Sequence, residues 1–292
     1  MTNRPNIAVL TDSFASYSGF IGRDTPALTI LPNCIQIGSQ RYRENLDLNS
    51  ESLLSLLHQA DHAPQVIPPS VTDYVEAFTR IAETADGIIS IHASKEISPS
   101  WANAQVGARQ VSYCPIIVLD SRTISASQAM LVRLALELAA NGLALEEIAR
   151  VMRSAVDRTY CIYYIENTTF ALENRIIKPA HAILGTVIGV KPVLTVENGH
   201  LAAMEKVKTR AQAVERLVEF ALEFAEVADT VILQSKAQPT DTRKLLLERL
   251  KVECPQRAFP TATYGASLAA LIGTDAVGLA VFEKEMDMAN GI

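Results

Sequence analysis

Three apolar runs in the first half of the chain each end in side chains that suit anion binding. Ile7 to Leu10 leads into Thr11-Asp12-Ser13, Gly87 to Ile91 into His92-Ala93-Ser94, and Ile116 to Leu119 into Asp120-Ser121. Short runs without polar interruption mark strands buried on both faces of a parallel sheet, and ligands of such sheets sit in the crevice beyond the carboxyl ends. Two roles are open for these residues. Asp12, Ser13, Asp120 and Ser121 either cap helices and close turns, or their hydroxyls and neighbouring free N–H groups converge on an anionic head group. Ser94 is divided in the same way, between capping a helix that begins near Ser98-Pro99 and contacting a ligand carboxylate. His92 has no nucleophile pattern around it and reads as a neutral, hydrogen-bonded imidazole ahead of a base. Arg175 is suited either to a surface ion pair or to a guanidinium closing over a carboxylate or phosphate.

Familiar catalytic signatures are missing from the sequence. No GxGxxG follows the first strand, and GxxxxGK[ST], HExxH and GxSxG do not occur, so nucleotide-binding, metalloprotease and α/β-hydrolase readings lack their motifs. The four cysteines, Cys34, Cys114, Cys161 and Cys254, form no CxxC pair, which points to buried free thiols rather than a zinc or redox site. Neither cofactor nor metal is expected. With a net charge of -6 and scattered Lys and Arg, the chain has no basic stripe for nucleic acid. The N-terminus has no signal-peptide pattern, and no run approaches the roughly 20 apolar residues of a bilayer span. A cytoplasmic protein without membrane insertion is expected.

The elements that position these residues follow from periodicity. At 292 residues, 49% of them hydrophobic, the chain is long enough for two domains. Helical spacing over Glu51–Ala60, Asp73–Thr84 and Leu145–Val156 alternates with the apolar strands. Ser125, with Gln128 three residues on and an apolar run from Met130 to Leu138, matches the capping-box pattern at a helix start. This alternation predicts a parallel, doubly wound α/β domain over residues 1–157. Residues 158–292 read as a mixed α+β domain. Strands are predicted at Cys161–Ile165, Val190–Val196, Leu201–Val207, Val231–Leu233 and Val277–Phe282, with helices at Thr209–Val227 and Thr242–Leu250. Asn198-Gly199 joins two of those strands as a hairpin. The apolar stripe from Ala180 to Val190 is ordinarily core and equally suits the wall of a lipid tunnel.

Several motifs together resemble the DegV family of bacterial fatty-acid-binding proteins, from Ile7 to about Phe282. They are Thr11-Asp12-Ser13, Pro69-Ser70 before Asp73-Tyr74, the turn Ile91 to Ser98, Asp120-Ser121 followed by Ser125 and Gln128, Glu173-Asn174-Arg175-Ile176, and Lys191-Pro192-Val193-Leu194 before Asn198-Gly199. Each is weak singly, and six in the right order are specific. The resemblance implies a two-domain α/β protein that buries an acyl chain between its lobes with the carboxylate near the surface. It also implies a protein that is no catalyst itself and presents the fatty acid to a separate kinase related to dihydroxyacetone kinases. By position, Ser94 matches the family's carboxylate-contacting serine and Arg175 its arginine near the pocket mouth, with Ser13, Ser70 and Ser125 in the shared motifs. Two stretches depart from the family. Val66, Ile67 and Pro68 replace Thr-Ser-Gln, and Leu271 stands where the family has a histidine, so that either the head lies differently, with Thr263, Tyr264 or Ser267 substituting, or the chain binds something less charged.

Two classes of function remain at this stage. One is a non-covalent carrier of a long-chain fatty acid, or a lipid sensor of the same build. The other is an enzyme acting on a small acid or phosphate, with Asp12 and His92 as its acid/base groups.

Overall fold

The structure is a computed structural model, and it describes residues 4–19, 25, 27–178 and 190–285. The apolar stretch expected to form core or tunnel wall lies, from 180 to 189, outside the described residues. The first lobe contains β1 (Ile7–Asp12), a 3-10 turn (Ser13–Ala15), β2 (Leu28–Leu31), β3 (Cys34–Ile37), β4 (Gln40–Arg43), α1 (Ser50–His58) and β5 (Gln65–Ile67). It continues through α2 (Val71–Ile81), β6 (Gly87–His92), α3 (Ser100–Ala108), β7 (Ile116–Asp120), α4 (Ala126–Ala140) and α5 (Leu145–Val156).

Four of these strands make a wholly parallel sheet in the order β2-β1-β6-β7. Pleating sends alternate residues to opposite faces. Leu10 and Ile88 therefore meet Tyr74, Phe78 and Ala104 of α2 and α3, while Val9, Ile89 and Ile91 face α4 and α5. This is the doubly wound α/β arrangement. The register pairs Thr11 with Ile91 and His92 with Asp120, which sets the three polar strand ends side by side. The short strands β3, β4 and β5 form a separate antiparallel sheet.

The second lobe follows with β8 (Thr159–Tyr164), α6 (Thr169–Glu173), β9 (Lys191–Glu197), β10 (His200–Val207), α7 (Arg210–Leu222), β11 (Val227–Gln234), α8 (Asp241–Glu253), β12 (Thr261–Thr263), α9 (Ala266–Ile272) and β13 (Val277–Glu283). Its six strands run β10-β9-β8-β13-β11-β12, a mixed sheet in which only β11 and β12 are parallel. The helix expected to reach Val227 stops at Leu222, because Val227 already pairs with Glu283 in the sheet. Its last turn is capped from elsewhere: the Arg257 guanidinium donates to the carbonyls of Ala221 and Phe224 at 2.6 Å each.

Both faces of this second sheet are buried. Ile162 and Tyr164 pack with α7 and α8, whereas Cys161, Tyr163 and Ile165 join a core that runs on through α4 into the parallel sheet. Helix α4, ASQAMLVRLALELAA, accordingly presents apolar residues on most of its circumference, as a helix clamped between two layers must. No helix among the described residues is long and apolar enough to cross a membrane.

Candidate functional site

The acidic and imidazole groups at the strand ends are locked to each other. Asp12 and His92 share the pleat of Leu10 and Ile88, so they face α2 and α3, and both side chains are fully buried. The His92 Nδ1 lies 2.9 Å from Asp12 Oδ2, and its Nε2 lies 2.6 Å from the Ser90 hydroxyl. With the ring proton on Nδ1, the imidazole donates to Asp12 and accepts from Ser90. Asp12 also accepts from the N–H groups of Phe14 (3.0 Å) and Ala93 (3.3 Å) and from Gln128 Nε2 (3.4 Å). The Tyr74 hydroxyl stands 3.3 Å from His92, and burial, then the Asp12 charge, pushes its pKa well above the ordinary phenol range. Every capacity of the pair is spent inside the fold, and neither group has a solvent face from which to exchange a proton.

Ser94 lies just beyond the end of β6 and is wholly buried. Its N–H donates to Thr123 O at 2.8 Å, its carbonyl accepts from Ile97 and Ser98, and its hydroxyl accepts from Glu96 N at 3.3 Å. It is no helix cap, since α3 starts after Pro99 without a side-chain cap. What covers it is the β9–β10 hairpin. Gly199, at φ +84°, sits so close that a Cβ there would fall 2.6 Å from the Ser94 hydroxyl oxygen, and His200 beside it lies 3.7 Å from Glu96. Gly199→Ala is expected to lose about 1–2 kcal/mol from the left-handed backbone alone, and more from this contact. Urea unfolding of Gly199→Ala in wild-type and Ser94→Gly backgrounds separates the two contributions: the serine deletion should recover the steric part only.

Ser13 belongs to a buried knot between the lobes. Its hydroxyl donates to Glu44 Oε2 at 2.7 Å and accepts from Asn33 N at 2.8 Å. From the second lobe, Ser267 donates to Glu44 through both its hydroxyl and its N–H, and the Ser267 oxygen accepts from Asn33 Nδ2 at 2.9 Å. Gly265 makes room for this carboxylate, because a Cβ there would come within 2.7 Å of it. Burial pushes the Glu44 pKa up against the opposing hydrogen bonds from Ser267 and Ser13. Thr263 is tied nearby to Ser18, donating through its N–H and accepting through its carbonyl at 2.7 and 2.8 Å.

Ser125 departs from the expected cap. It precedes α4 at φ 58° and ψ -131°, its side chain caps nothing, and its buried hydroxyl has no partner. Gln128, read as the reciprocal half of a capping box, instead sends its Nε2 to Thr11 Oγ1 (3.0 Å) and Asp12, leaving its buried Oε1 unpartnered. The Tyr163 hydroxyl on β8 is also buried and outside hydrogen-bond geometry, with Ser125 and Cys161 beside it. Burial pushes its pKa well above the phenol range. The Tyr163 ring packs closely on Gly278, where a Cβ would come within about 2.4 Å of it.

The remaining positions are dispersed. Ser70 is exposed and consumed in a capping box with Asp73. Leu271 is half-buried on α9 against the main core, its carbonyl 3.3 Å from Asn174 Nδ2. Arg175 is exposed just past α6 in a left-handed conformation, φ 59°, and among the described residues no contact links it to Ser94. Glu44, Asn33 and Tyr163 were not singled out by sequence. A lone acid in a polar turn and a tyrosine in an apolar strand carry no spacing signal; only the need of a buried phenol for a partner hints at Tyr163.

An α/β protein of three sheets with polar groups buried between the two larger ones is what these elements define. The family model for DegV, a family of uncharacterised proteins, matches residues 6–284, and the chain belongs to the DegV family. A DegV domain-containing protein of Streptomyces coelicolor is 28% identical over 281 residues, covering 96% of this chain and 99% of the relative. Protein DegV of Bacillus subtilis is 23% identical over 278 residues, covering 94% and 98%. Among solved structures, the fatty acid binding DegV family protein of Streptococcus agalactiae superposes with a TM-score of 0.85 at 23% identity, covering 96% of this chain and 99% of that one. DegV of Bacillus subtilis, described as a fatty acid binding protein, gives 0.83 at 23% identity, covering 96% and 100%.

Proposed function

We propose that this chain is a non-catalytic carrier that holds a long-chain fatty acid between its lobes and offers the acyl carboxylate to a separate kinase related to dihydroxyacetone kinases. The observation that carries the reading is the pair of buried hydroxyls, Ser125 and Tyr163, side by side between the two larger sheets of a fold shared with fatty acid binding proteins. DegV family proteins of Eubacterium eligens and Ruminococcus gnavus are described with heptadecanoic and vaccenic acid respectively, which supports the same ligand class here. An acyl chain moved from water into such a core gains about 0.8 kcal/mol per CH₂. That is ample for tight binding even where Val66 and Leu271 supply no polar contact. The closed Asp12–His92 pair supports a chain that performs no acid/base chemistry of its own.

Arg175 is the group best placed to meet a kinase or the phosphate it transfers. A non-glycine residue in the left-handed region costs about 1–2 kcal/mol, and such strain gathers where function holds it. Ser94, Ser13, Ser70 and Thr263 serve this reading through the backbone they fix.

Mass spectrometry of protein purified gently from its host is the direct test, with recovery of a long-chain acid expected. Recovery of no lipid, together with no thermal shift on adding fatty acids, would rule the carrier out. Arg175→Gly then tests presentation. It should gain about 1 kcal/mol in stability, keep fatty-acid affinity, and lose most acyl-phosphate formation by the kinase. Unchanged phosphorylation would remove Arg175 from that role.

A further inference from the structure

Histidines reach across the boundary between the lobes from both sides. His58, in the last turn of α1, places Nδ1 2.9 Å from the Thr274 hydroxyl in the link between α9 and β13. His62, in the loop between α1 and β5, places Nδ1 3.0 Å from Glu173 Oε1 on α6, and the other oxygen of that carboxylate accepts from Ala63 N at 2.6 Å. His200, at the start of β10, reaches the other way, its Nε2 3.7 Å from Glu96 Oε2, two residues beyond Ser94.

The Glu173 contact is built as a latch. One carboxylate holds an imidazole and a backbone N–H of the same first-lobe loop, while Asn174 beside it ties the end of α6 to its own lobe by donating to the carbonyls of Ala270 and Leu271 at 2.9 and 3.3 Å. An imidazole adds charge to such a contact only when it is protonated. The hydrogen bond and charge of Glu173, with a lesser push from Asp61 in its own loop, raise the His62 pKa above 6.5, and His62 in turn lowers that of Glu173 below 4.5. His200 likewise faces acids, Glu96 across the boundary and Glu197 opposite it on β9. A raised imidazole pKa gives stability that is full below 6.5 and lost as pH rises through the folded value, and a lowered carboxylate pKa gives stability present above 4.5 and lost as pH falls. The His62–Glu173 pair is therefore complete on the acid side of neutrality and released toward alkaline pH. The Glu44 knot, its carboxyl raised by burial, weakens in the same direction.

We infer that the lobe boundary is a proton-operated clamp, in which protonated His62 and His200 hold the lobes together on Glu173 and Glu96, and their deprotonation lets the lobes part. For a ligand, which rests on the carrier reading above, the clamp retains a lipid at mildly acid pH and releases it as pH rises. Exposed pairs are weak singly, so the release is graded and sensitive to salt.

Residual dipolar couplings of the full-length protein without lipid, at about pH 6 and about pH 8.5 on either side of the imidazole range, test the clamp. The relative orientation of the lobes should change between the two conditions in wild type. The double variant Glu173→Gln with His200→Gln keeps an acceptor for Ala63 N–H but no charge at either pair, and should show the alkaline orientation at both. Hexadecanol, whose head group does not titrate, then reads the effect on a ligand. It should leave wild type about threefold faster at the higher pH and the double variant at nearly one rate, and high salt should narrow the wild-type difference. The clamp is overturned if the lobes keep one orientation across this range or if the double variant retains the wild-type pH response. Reorientation with a single release rate overturns its control of the ligand. Failure of wild type to bind hexadecanol or hexadecanoic acid at either pH removes the carrier reading, and the dipolar couplings still decide the clamp.

Discussion

Asp12→Ala should cost about 3–5 kcal/mol, because losing this buried carboxylate leaves several buried donors without an acceptor, at about 1–3 kcal/mol each. The loss has identifiable parts. His92 keeps a ring N–H with no acceptor but a phenol, the N–H groups of Phe14 and Ala93 are left bare, and Gln128 loses one of its two contacts. Asp120→Ala is the control, because that carboxylate accepts from Lys95 N and Arg122 N at an exposed turn and should cost only about 1 kcal/mol. Urea denaturation at neutral pH measures both. An Asp12→Ala variant as stable as the control would show that the strand-end network is not structural, and would return Asp12 and His92 to consideration as working groups.

Glu44 gives the second large effect and a definite pH dependence. Glu44→Ala orphans the hydroxyls of Ser13 and Ser267 and the Ser267 N–H, at about 1–3 kcal/mol each, partly offset because no carboxyl need then be desolvated; a net loss of about 3 kcal/mol is expected. The wild-type carboxyl has a folded pKa above its ordinary value of 4.5. Its contribution is therefore fully present below that value and is lost as pH rises through the folded pKa. Glu44→Gln cannot titrate. The stability difference between wild type and Glu44→Gln should thus fall as pH is raised from 4.5, and a difference that stays flat or grows would contradict a carboxyl whose pKa is raised by burial.

How much of this was legible in the sequence depended on how fully each segment is buried. Strands β1, β6 and β7 read directly because they are short apolar runs, broken only by the buried Ser90 in β6. The β9–β10 hairpin read equally well, since Asn198 and Gly199 both take positive φ, 51° and 84°, as a two-residue hairpin turn demands. Strands β3 to β5 did not, because they are short, mixed in polarity and partly exposed, so neither alternation nor an apolar run marks them. At Ser125 a correct motif gave a wrong structure. Serine with glutamine three residues on fits a capping box, but the backbone of Ser125 turns its hydroxyl from the helix and Gln128 is drawn off by Thr11 and Asp12. The Glu44 knot was invisible for another reason: residues 13, 33 and 44 meet only once the first lobe folds, and Ser267 joins them from the second.

The order of strands in the second sheet bears on how the protein is made. Among the described residues Val277–Glu283 is the last strand in chain order, yet it lies in the middle of its sheet, between Thr159–Tyr164 and Val227–Gln234. A chain emerging from the ribosome must hold a gap open there, with unpaired edges on both sides and the oily flank of α4 uncovered, until that final segment arrives. Nascent chains are thereby most prone to clump before Val277–Glu283 emerges, and truncation ahead of Val277 removes the keystone rather than the fringe.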